Sequence, residues 1–205
     1  MKKLLLLLVI ILGCNMLTMA QDSKVSWNAK AGLNISNWTG GDSEGTDAKL
    51  GFKVGVGMEY AFDNIWSLQP SLFLSTKGTK YSEVIEGYST KLTVNQMYLE
   101  LPVNIQARVH IEGETNLLFS AGPYIAYGIG GKTSFDISNI GTDIDTFGND
   151  GLGLDEFDAG LGFGVGLEFG KVLVGLDGQV GLTKLKDVEG AAKNINFSVT
   201  LGYKF

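Results

Sequence analysis

The residues that most often carry enzymatic or metal chemistry are scarce in this sequence. The chain has one histidine, His110, and one cysteine, Cys14, among 205 residues. One residue of each kind leaves almost nothing for a Cys–His nucleophile pair, a Cys/His zinc site or a disulfide framework. A hydrolase that uses histidine as its base needs a serine or an aspartate close to it. Whether His110 has such partners depends on the elements that carry it.

A second candidate for chemistry is an acidic stretch from Lys132 to Glu156. Asp143 and Asp145 are spaced as in a calcium loop, since hard cations prefer clustered oxygen ligands. The EF-hand pattern fails, because Phe147 stands where an oxygen ligand is needed and Leu154 where the bidentate glutamate should be. A specific calcium site, diffuse divalent-cation bridging and simple solubility all remain open, and we assign no metal ligand. The acidic residues are Asp136, Asp143, Asp145, Asp150, Asp155 and Glu156.

Composition narrows the class of protein further. The formal net charge is −6, whereas a nucleic-acid-binding protein normally presents a basic face, so we predict no nucleic-acid partner. Glycine is abundant, at 29 residues, but proline numbers only 3, which excludes a collagen-like or a disordered Pro/Gly-rich chain. No apolar run reaches the roughly 18 residues that a membrane-spanning helix needs.

The N-terminus is typical of a secretory signal peptide. Lys2 and Lys3 precede an unbroken apolar run from Leu4 to Leu12, and small residues suit cleavage after Ala20. The sequence around Cys14 also resembles a lipobox, which leaves lipidation of that cysteine open. We predict a signal peptide at 1–20 and one domain at 21–205.

The mature chain alternates apolar and polar residues with a period of two, which is the pattern of a strand with two different faces. The first strand alternates apolar Val25 to Ile35 with polar Ser26 to Ser36. Phe73 breaks the pattern of the third strand, and Tyr124 and Ala126 lie on the other face of the fifth. No stretch shows a helical period, so we predict an all-β protein. The eight predicted strands are 25–36, 50–62, 66–75, 99–109, 119–129, 157–169, 172–182 and 195–205.

Three features favour a transmembrane β-barrel over a soluble β-sandwich. The predicted strands are about twice the usual 5 to 6 residues, as crossing a bilayer at a tilt requires. Short and long connections alternate, and an even number of strands with this asymmetry is typical of an outer-membrane barrel with short periplasmic turns. Aromatic residues on the apolar face gather near the short-turn end, as expected at a membrane interface. They are Trp27, Tyr60, Phe62, Trp66, Phe169, Tyr203 and Phe205.

The polar face of such a barrel must be its interior. Because an eight-stranded barrel is just wide enough for its side chains to fill, and unpaired buried charges are costly, we expect the inner charges to pair. A conductive or ligand-holding lumen is the alternative. Glycines 160, 162, 164 and 166 leave one wall bare, and we expect large polar side chains from opposite strands to rest on it. The inner charged residues are Lys30, Lys53, Glu59, Glu100, Arg108, Asp158, Glu168, Asp177 and Lys204.

Short motifs in order along the mature chain resemble the PorT family of outer-membrane β-barrel domains. They are Tyr98-Leu99-Glu100-Leu101-Pro102-Val103, Ala121-Gly122-Pro123-Tyr124, Gly130-Gly131-Lys132, Asp158-Ala159-Gly160-Leu161-Gly162-Phe163-Gly164, Gly181-Leu182-Thr183 and Leu201-Gly202-Tyr203-Lys204-Phe205. The resemblance implies a small barrel of the OmpX and OmpA type, abundant in Bacteroidetes-type bacteria. It assigns no activity and no functional residues, although the namesake takes part in protein secretion.

These observations together predict a non-enzymatic structural or interaction protein of the outer membrane. His110 falls beside a short turn, away from the outer rim where enzymatic barrels place their histidine, so we assign no catalytic residue and no cofactor. Expected partners are outer-membrane lipid and lipopolysaccharide, other outer-membrane proteins, and the barrel-assembly machinery, whose recognition signal the ending Tyr203 and Phe205 resembles. A narrow channel or a small-ligand-binding barrel is the alternative function.

Overall fold

The computed structural model describes residues 24–43, 45–85, 88–137, 140–148 and 151–205. The predicted signal peptide, Cys14 and Asp150 lie outside these ranges. Ten strands and one 3-10 turn account for most of the described chain. They are β1 (Val25–Thr39), the 3-10 turn (Gly41–Ser43), β2 (Thr46–Ala61), β3 (Trp66–Ile85), β4 (Tyr88–Glu112), β5 (Thr115–Gly130), β6 (Lys132–Ile137), β7 (Ile140–Asp145), β8 (Phe157–Phe169), β9 (Val172–Gly181) and β10 (Lys193–Lys204). No helix within the described ranges is long and apolar enough to cross a membrane.

Eight of the strands close into an antiparallel barrel, as the alternation predicts. The ring runs β1-β2-β3-β4-β5-β8-β9-β10, and β10 pairs with β1 from Lys204 opposite Asn28 to Lys193 opposite Thr39. Closure leaves no unpaired edge within the ring, which is the condition for strands to cross a bilayer.

Two connections that the sequence analysis treats as long polar loops are built as strands instead. β3 continues to Ile85 and β4 starts at Tyr88, so this hairpin is far longer than predicted. In the acidic stretch, β6 pairs with β4 and β7 pairs with β6. The reason is that polar side chains do not prevent strand pairing where the backbone groups bond to one another. We call β6, β7 and the outer parts of β3 and β4 (82–85 and 88–95) the extension.

The two faces of the ring are inverted relative to a soluble protein. Leu33 on the outer face is 64% exposed, whereas its neighbour Asn34 on the inner face is 0% exposed. The misfit Phe73 is an inner residue, and so are Tyr124 and Ala126. Five of the seven predicted belt residues are exposed on the outer face at the short-turn end, namely Phe62, Trp66, Phe169, Tyr203 and Phe205. The other two, Trp27 and Tyr60, are half-buried.

The short-turn end carries three tight connections at 62–65, 113–114 and 170–171. In the first, one carboxylate oxygen of Asp63 accepts the backbone N–H groups of Ile65 and Trp66 at 2.8 and 2.7 Å. These two hydrogen bonds lower the pKa of Asp63, because they stabilise its charged form. At the opposite, long-loop end, the β7–β8 and β9–β10 loops fold over the barrel mouth.

Candidate functional site

The polar lumen holds most of the buried charged residues, and they fall into three layers. The layer near the short-turn end contains two cations and two carboxylates. Arg108 Nη2 lies 2.7 Å from Glu59 Oε1 and 3.0 Å from Glu168 Oε2. Lys204 Nζ lies 3.2 Å from an oxygen of each of the same two carboxylates. Each cation therefore bridges both carboxylates, and this inner network is electrically neutral.

The layer near the long-loop end is built around one lysine from β3. Lys77 Nζ lies 2.6 Å from Glu100 Oε1 and 3.7 Å from Asp158 Oδ2, and the Lys77 and Glu100 side chains are both 0% exposed. The same ammonium lies 4.6 Å from the ring centroid of Tyr124 and 5.6 Å from that of Tyr98, within the range of a cation–π contact. We call this the outer cluster.

Neutral donors complete the environment of the second carboxylate of the outer cluster. Asp158 accepts hydrogen bonds from the Tyr124 hydroxyl at 3.2 Å, Asn194 Nδ2 at 3.1 Å and Thr183 Oγ1 at 2.8 Å. These donors come from β5, β10 and the β9–β10 loop. Lys77, Glu100 and Asp158 themselves lie on β3, β4 and β8, so the outer cluster ties six parts of the barrel together across its lumen.

The middle layer is the most loosely paired. Lys30 Nζ donates to Gln69 Oε1 at 3.4 Å, and Lys53 Nζ lies 4.5 Å from the Phe73 ring centroid. Among the described residues, neither lysine has a carboxylate oxygen within 4.0 Å, although Asp177 lines the same space. Two cavities of about 40 and 30 Å³ lie here, and each has room for an ordered water molecule.

The predicted pairing of inner charges is thus confirmed at both ends and not in the middle. Six of the nine predicted residues join an ion-pair network: Glu59, Glu100, Arg108, Asp158, Glu168 and Lys204. Sequence analysis missed Lys77 because the predicted third strand stops at Ser75. The one available signal was register, since Lys77 continues the two-residue spacing of the inward residues Ser71 and Ser75. Lys49, which is also buried, was missed for the same reason, since it precedes the predicted second strand.

The bare glycine wall does receive large side chains, but from neighbouring strands rather than opposite ones. A Cβ on Gly160 would meet the Tyr124 ring at 2.8 Å, and one on Gly164 would meet Asp177 Oδ1 at 2.6 Å. Tyr124 lies on β5 and Asp177 on β9, the two partners of β8. Neighbours reach the wall first because adjacent strands lie only about 4.8 Å apart.

A hydrophobic cluster closes the lumen at the long-loop end. Phe147, from the β7–β8 loop, stacks edge-on against Tyr98 with ring centroids 5.4 Å apart. A Cβ placed on Gly128 would lie only 2.6 Å from the nearest atom of the Phe147 ring. We call the cluster the cap; its members are Val94, Leu154, Leu185, Ala192, Trp38, Leu92, Phe147 and Leu152. The two residues that break the calcium-loop pattern, Phe147 and Leu154, are thus both packing residues of the cap.

The remaining candidates do not assemble into a reactive site. His110 is exposed beside the β4–β5 turn, and its Nδ1 lies 3.2 Å from Asn116 Oδ1. In the acidic stretch, Asp143 and Asp145 lie on β7, and the described residues contain no group of three metal-binding side chains. Near the tip of the extension, the Tyr81 hydroxyl donates to Glu83 Oε2 at 2.7 Å, which raises the pKa of Tyr81.

The chain has weak similarity to several solved structures, each with a TM-score below 0.5. No curated protein matches the chain. Similar solved structures are OprG from Pseudomonas aeruginosa (12% identity, TM-score 0.49, 88% of this chain and 95% of that one), Neisserial surface protein A (13%, 0.48, 89% and 98%) and Ail of Yersinia pestis (17%, 0.45, 89% and 99%).

A family match covers most of the sequence. Residues 19–187 match the family described as outer membrane protein beta-barrel domain. The match spans the ring from β1 through β9, the β7–β8 loop and the first part of the β9–β10 loop. Taken with the closed ring, the inverted faces and the aromatic belt, it shows that the chain is an outer-membrane β-barrel protein and belongs to the outer membrane protein beta-barrel domain family.

Proposed function

We propose that this barrel is a closed, non-enzymatic interaction protein whose working surface is the extension. The observation that carries the proposal is a contrast. The lumen is occupied by ion pairs and sealed by the cap, whereas the extension presents unpaired strand backbone above the membrane.

The filled lumen argues against transport as the main role. Opening a path through the outer cluster would separate Lys77 from Glu100, and both side chains are completely buried. Removing one partner of a buried ion pair costs about 3–5 kcal/mol, because the other charge is left without compensation. A conducting state would carry a cost of this kind.

The extension offers a surface of the opposite kind. Among the described strands, β7 pairs only with β6, so its second edge is open along residues 140–144; at Asp145 the backbone carbonyl accepts the Leu152 N–H at 2.8 Å. Gly141, Thr142 and Asp143 on this strand are exposed. An open edge is a template to which an extended segment of another protein can add as a further strand. Asp143 favours a partner segment that carries basic residues.

The resemblance to the PorT family supports one more specific role within this proposal. We propose that the barrel is an accessory subunit of an outer-membrane or secretion complex. Lipopolysaccharide and outer-membrane lipid are its proposed surroundings. The barrel-assembly machinery is its proposed partner during biogenesis, through the C-terminal strand that ends in Tyr203 and Phe205.

The test is purification of the tagged full-length protein from outer membranes in mild detergent, followed by identification of stoichiometric companions. We expect a companion that is retained by the wild type and by Glu112→Lys, and is lost with Asp143→Lys. Both substitutions make the same charge change at exposed positions, but Glu112 lies at the short-turn end. A barrel that purifies without a companion would contradict the proposal. So would a companion that the Asp143→Lys variant still retains.

A narrow channel or small-ligand-binding barrel is the second candidate, and the two cavities beside Lys30 and Lys53 are the observation in its favour. Planar-bilayer recording of the purified protein separates the two functions. The closed barrel predicts no steady conductance. A steady conductance that changes with Lys53→Met would favour the channel.

A further inference from the structure

A groove with a cavity volume of about 730 Å³ lies at the outer rim of the barrel. Its walls are the β7–β8 and β9–β10 loops. At its base lie Tyr127 and Phe157, which are cross-strand partners at the outer ends of β5 and β8. Both aromatic side chains are exposed on the lipid-facing side of the ring. The groove therefore opens where the apolar wall meets the headgroup region of the outer leaflet.

The walls of the groove are fixed by hydrogen bonds between the two loops and from the β9–β10 loop to β8. The Asp155 N–H donates to the Leu185 carbonyl at 2.9 Å. The Leu182 N–H donates to the Ala159 carbonyl at 2.8 Å, and the Ala159 N–H donates to Thr183 Oγ1 at 3.0 Å. Leu154 and Leu185 anchor both loops in the cap. The groove is thus built into the structure and does not depend on a ligand to shape it.

Opposite charges line the groove without neutralising one another. Lys184 and Lys186 stand on one wall, and Asp155 and Glu156 on the other, with Asp187 beside the lysines. In the part of the chain that the structure describes, neither lysine has a carboxylate oxygen within 4.0 Å. Lys184 Nζ donates only to the Val188 carbonyl, at 3.2 Å, while Glu156 accepts a hydrogen bond from the Tyr127 hydroxyl. Two ammonium groups therefore remain available for an anionic ligand.

We infer a shallow indentation in the wall below the groove, because one small residue lies there among large ones. Ala159 is the small outward residue between Phe157 and Leu161 on β8, and Ile125 is its cross-strand partner on β5. On the other side, Leu182 bonds to the backbone of Ala159. Large apolar side chains thus surround a position with only a methyl group. An apolar chain that descends from the groove would fit against it.

We propose that this groove binds the phosphorylated headgroup of an outer-leaflet glycolipid. Lys184 and Lys186 contact a phosphate group, and one acyl chain packs over Ala159. Lysine ammonium groups at the membrane surface favour phosphate, and the interfacial aromatic residues suit the boundary between headgroup and chain. The carboxylates on the facing wall are placed to accept hydrogen bonds from sugar hydroxyl groups. The inference rests on the proposed lipopolysaccharide surroundings of the barrel, but not on a protein partner at the extension.

The experiment measures lipid retention by the purified full-length barrel with native mass spectrometry, in EDTA so that cation bridging cannot substitute for the lysines. The probes are bis-phosphorylated lipid A and its dephosphorylated form. For Lys184→Gln/Lys186→Gln we expect about a tenfold weaker affinity for the phosphorylated lipid, since two charge-assisted contacts are lost. The matched control is Lys24→Gln/Lys171→Gln, which removes two exposed lysines at the other end and should keep wild-type affinity.

A second variant tests the acyl-chain contact. Ala159→Phe fills the indentation on the lipid-facing wall and is expected to weaken binding of both lipids about threefold, without changing the preference for phosphate. The gel mobility shift on heating reports that each variant is folded. Equal retention of phosphorylated and dephosphorylated lipid by the wild type would overturn the proposal. So would an equal loss in the two lysine double variants.

Discussion

The two ends of the lumen compensate their buried carboxylates in different ways. The outer cluster has one lysine for two carboxylates, is fully buried, and relies on Tyr124, Asn194 and Thr183 as neutral donors. The inner network has two cations for two carboxylates, and its Arg108 and Lys204 side chains are 18% and 21% exposed. The outer cluster has no substitute for its one cation, whereas the inner network has a spare.

Charge balance alone therefore does not determine how much stability is lost when a buried ion pair is broken. Water can reach the inner network and screen any charge left over, so one lost contact is partly replaced. The outer cluster lies under the cap, where a leftover charge has no such compensation. We therefore expect the barrel to be most sensitive to substitution at its outer end.

The largest effect is expected for Lys77→Met. It leaves Glu100 and Asp158 buried without a cation, and the free energy of unfolding should fall by about 3–5 kcal/mol. Urea unfolding in lipid vesicles, followed by tryptophan fluorescence, measures the loss. Lys80→Met is the matched control, because Lys80 is an exposed lysine on the same strand. A loss below 1 kcal/mol would mean that the outer cluster is not the stabilising element we describe.

The glycine wall provides a second and smaller contrast. A Cβ on Gly160 would lie 2.2 Å from the Val180 carbonyl oxygen and 2.8 Å from the Tyr124 ring, whereas the nearest atom to one on Gly162 is 3.7 Å away. Gly160→Ala should therefore cost about 1–3 kcal/mol through overpacking, and Gly162→Ala should be tolerated. The same unfolding measurement compares the two. Similar stabilities would show that Tyr124 and the backbone move aside easily.

The inner network should tolerate the loss of one cation. In Lys204→Met, Arg108 still contacts both Glu59 and Glu168, so the expected cost is about 1 kcal/mol, as for a partly exposed pair. The measurement is again the urea midpoint, and Lys171→Met in the exposed turn serves as control. A loss as large as that of Lys77→Met would remove the distinction between the two ends.

The smallest effect concerns the turn at Asp63. Because the folded state lowers the pKa of Asp63, the turn hydrogen bonds stabilise the barrel fully above the unfolded-state value of about 3.9. That contribution is lost as the pH falls below this value and through the folded-state pKa. Unfolding midpoints measured from pH 6 downward should therefore fall slightly more in the wild type than in Asp63→Ala. Parallel pH profiles would contradict the assignment.

Sequence periodicity predicts the ring well because inward and outward positions alternate strictly in a barrel. The eight strands and the polar interior follow from that rule. It fails at Phe73, where the lumen accepts an aromatic ring beneath Lys53, and it fails beyond Ser75, where a polar segment continues as strand. A segment that is polar on both faces shows no apolar–polar alternation, so the sequence pattern did not predict that the extension forms strands.

The groove and the cap could not be predicted for a different reason. Their residues come from segments far apart in the chain, such as Tyr127, Leu154 and Lys186, and nothing in the local pattern brings these together. Phe147 illustrates the difficulty, since its local context suggested a failed calcium loop rather than a packing residue. Tertiary contact decides its role, and the sequence around it does not encode that contact.

The seam between β1 and β10 has a consequence for how the protein is made. The strand that closes the ring, β10, is the last of the barrel strands along the chain, and its partner β1 is the first. A chain that stops before Lys193 would have two open edges and an uncovered row of lumenal charges, neither of which a bilayer accepts. Only a chain that includes β10 can therefore close the ring, and a chain truncated before it is not stable in the membrane.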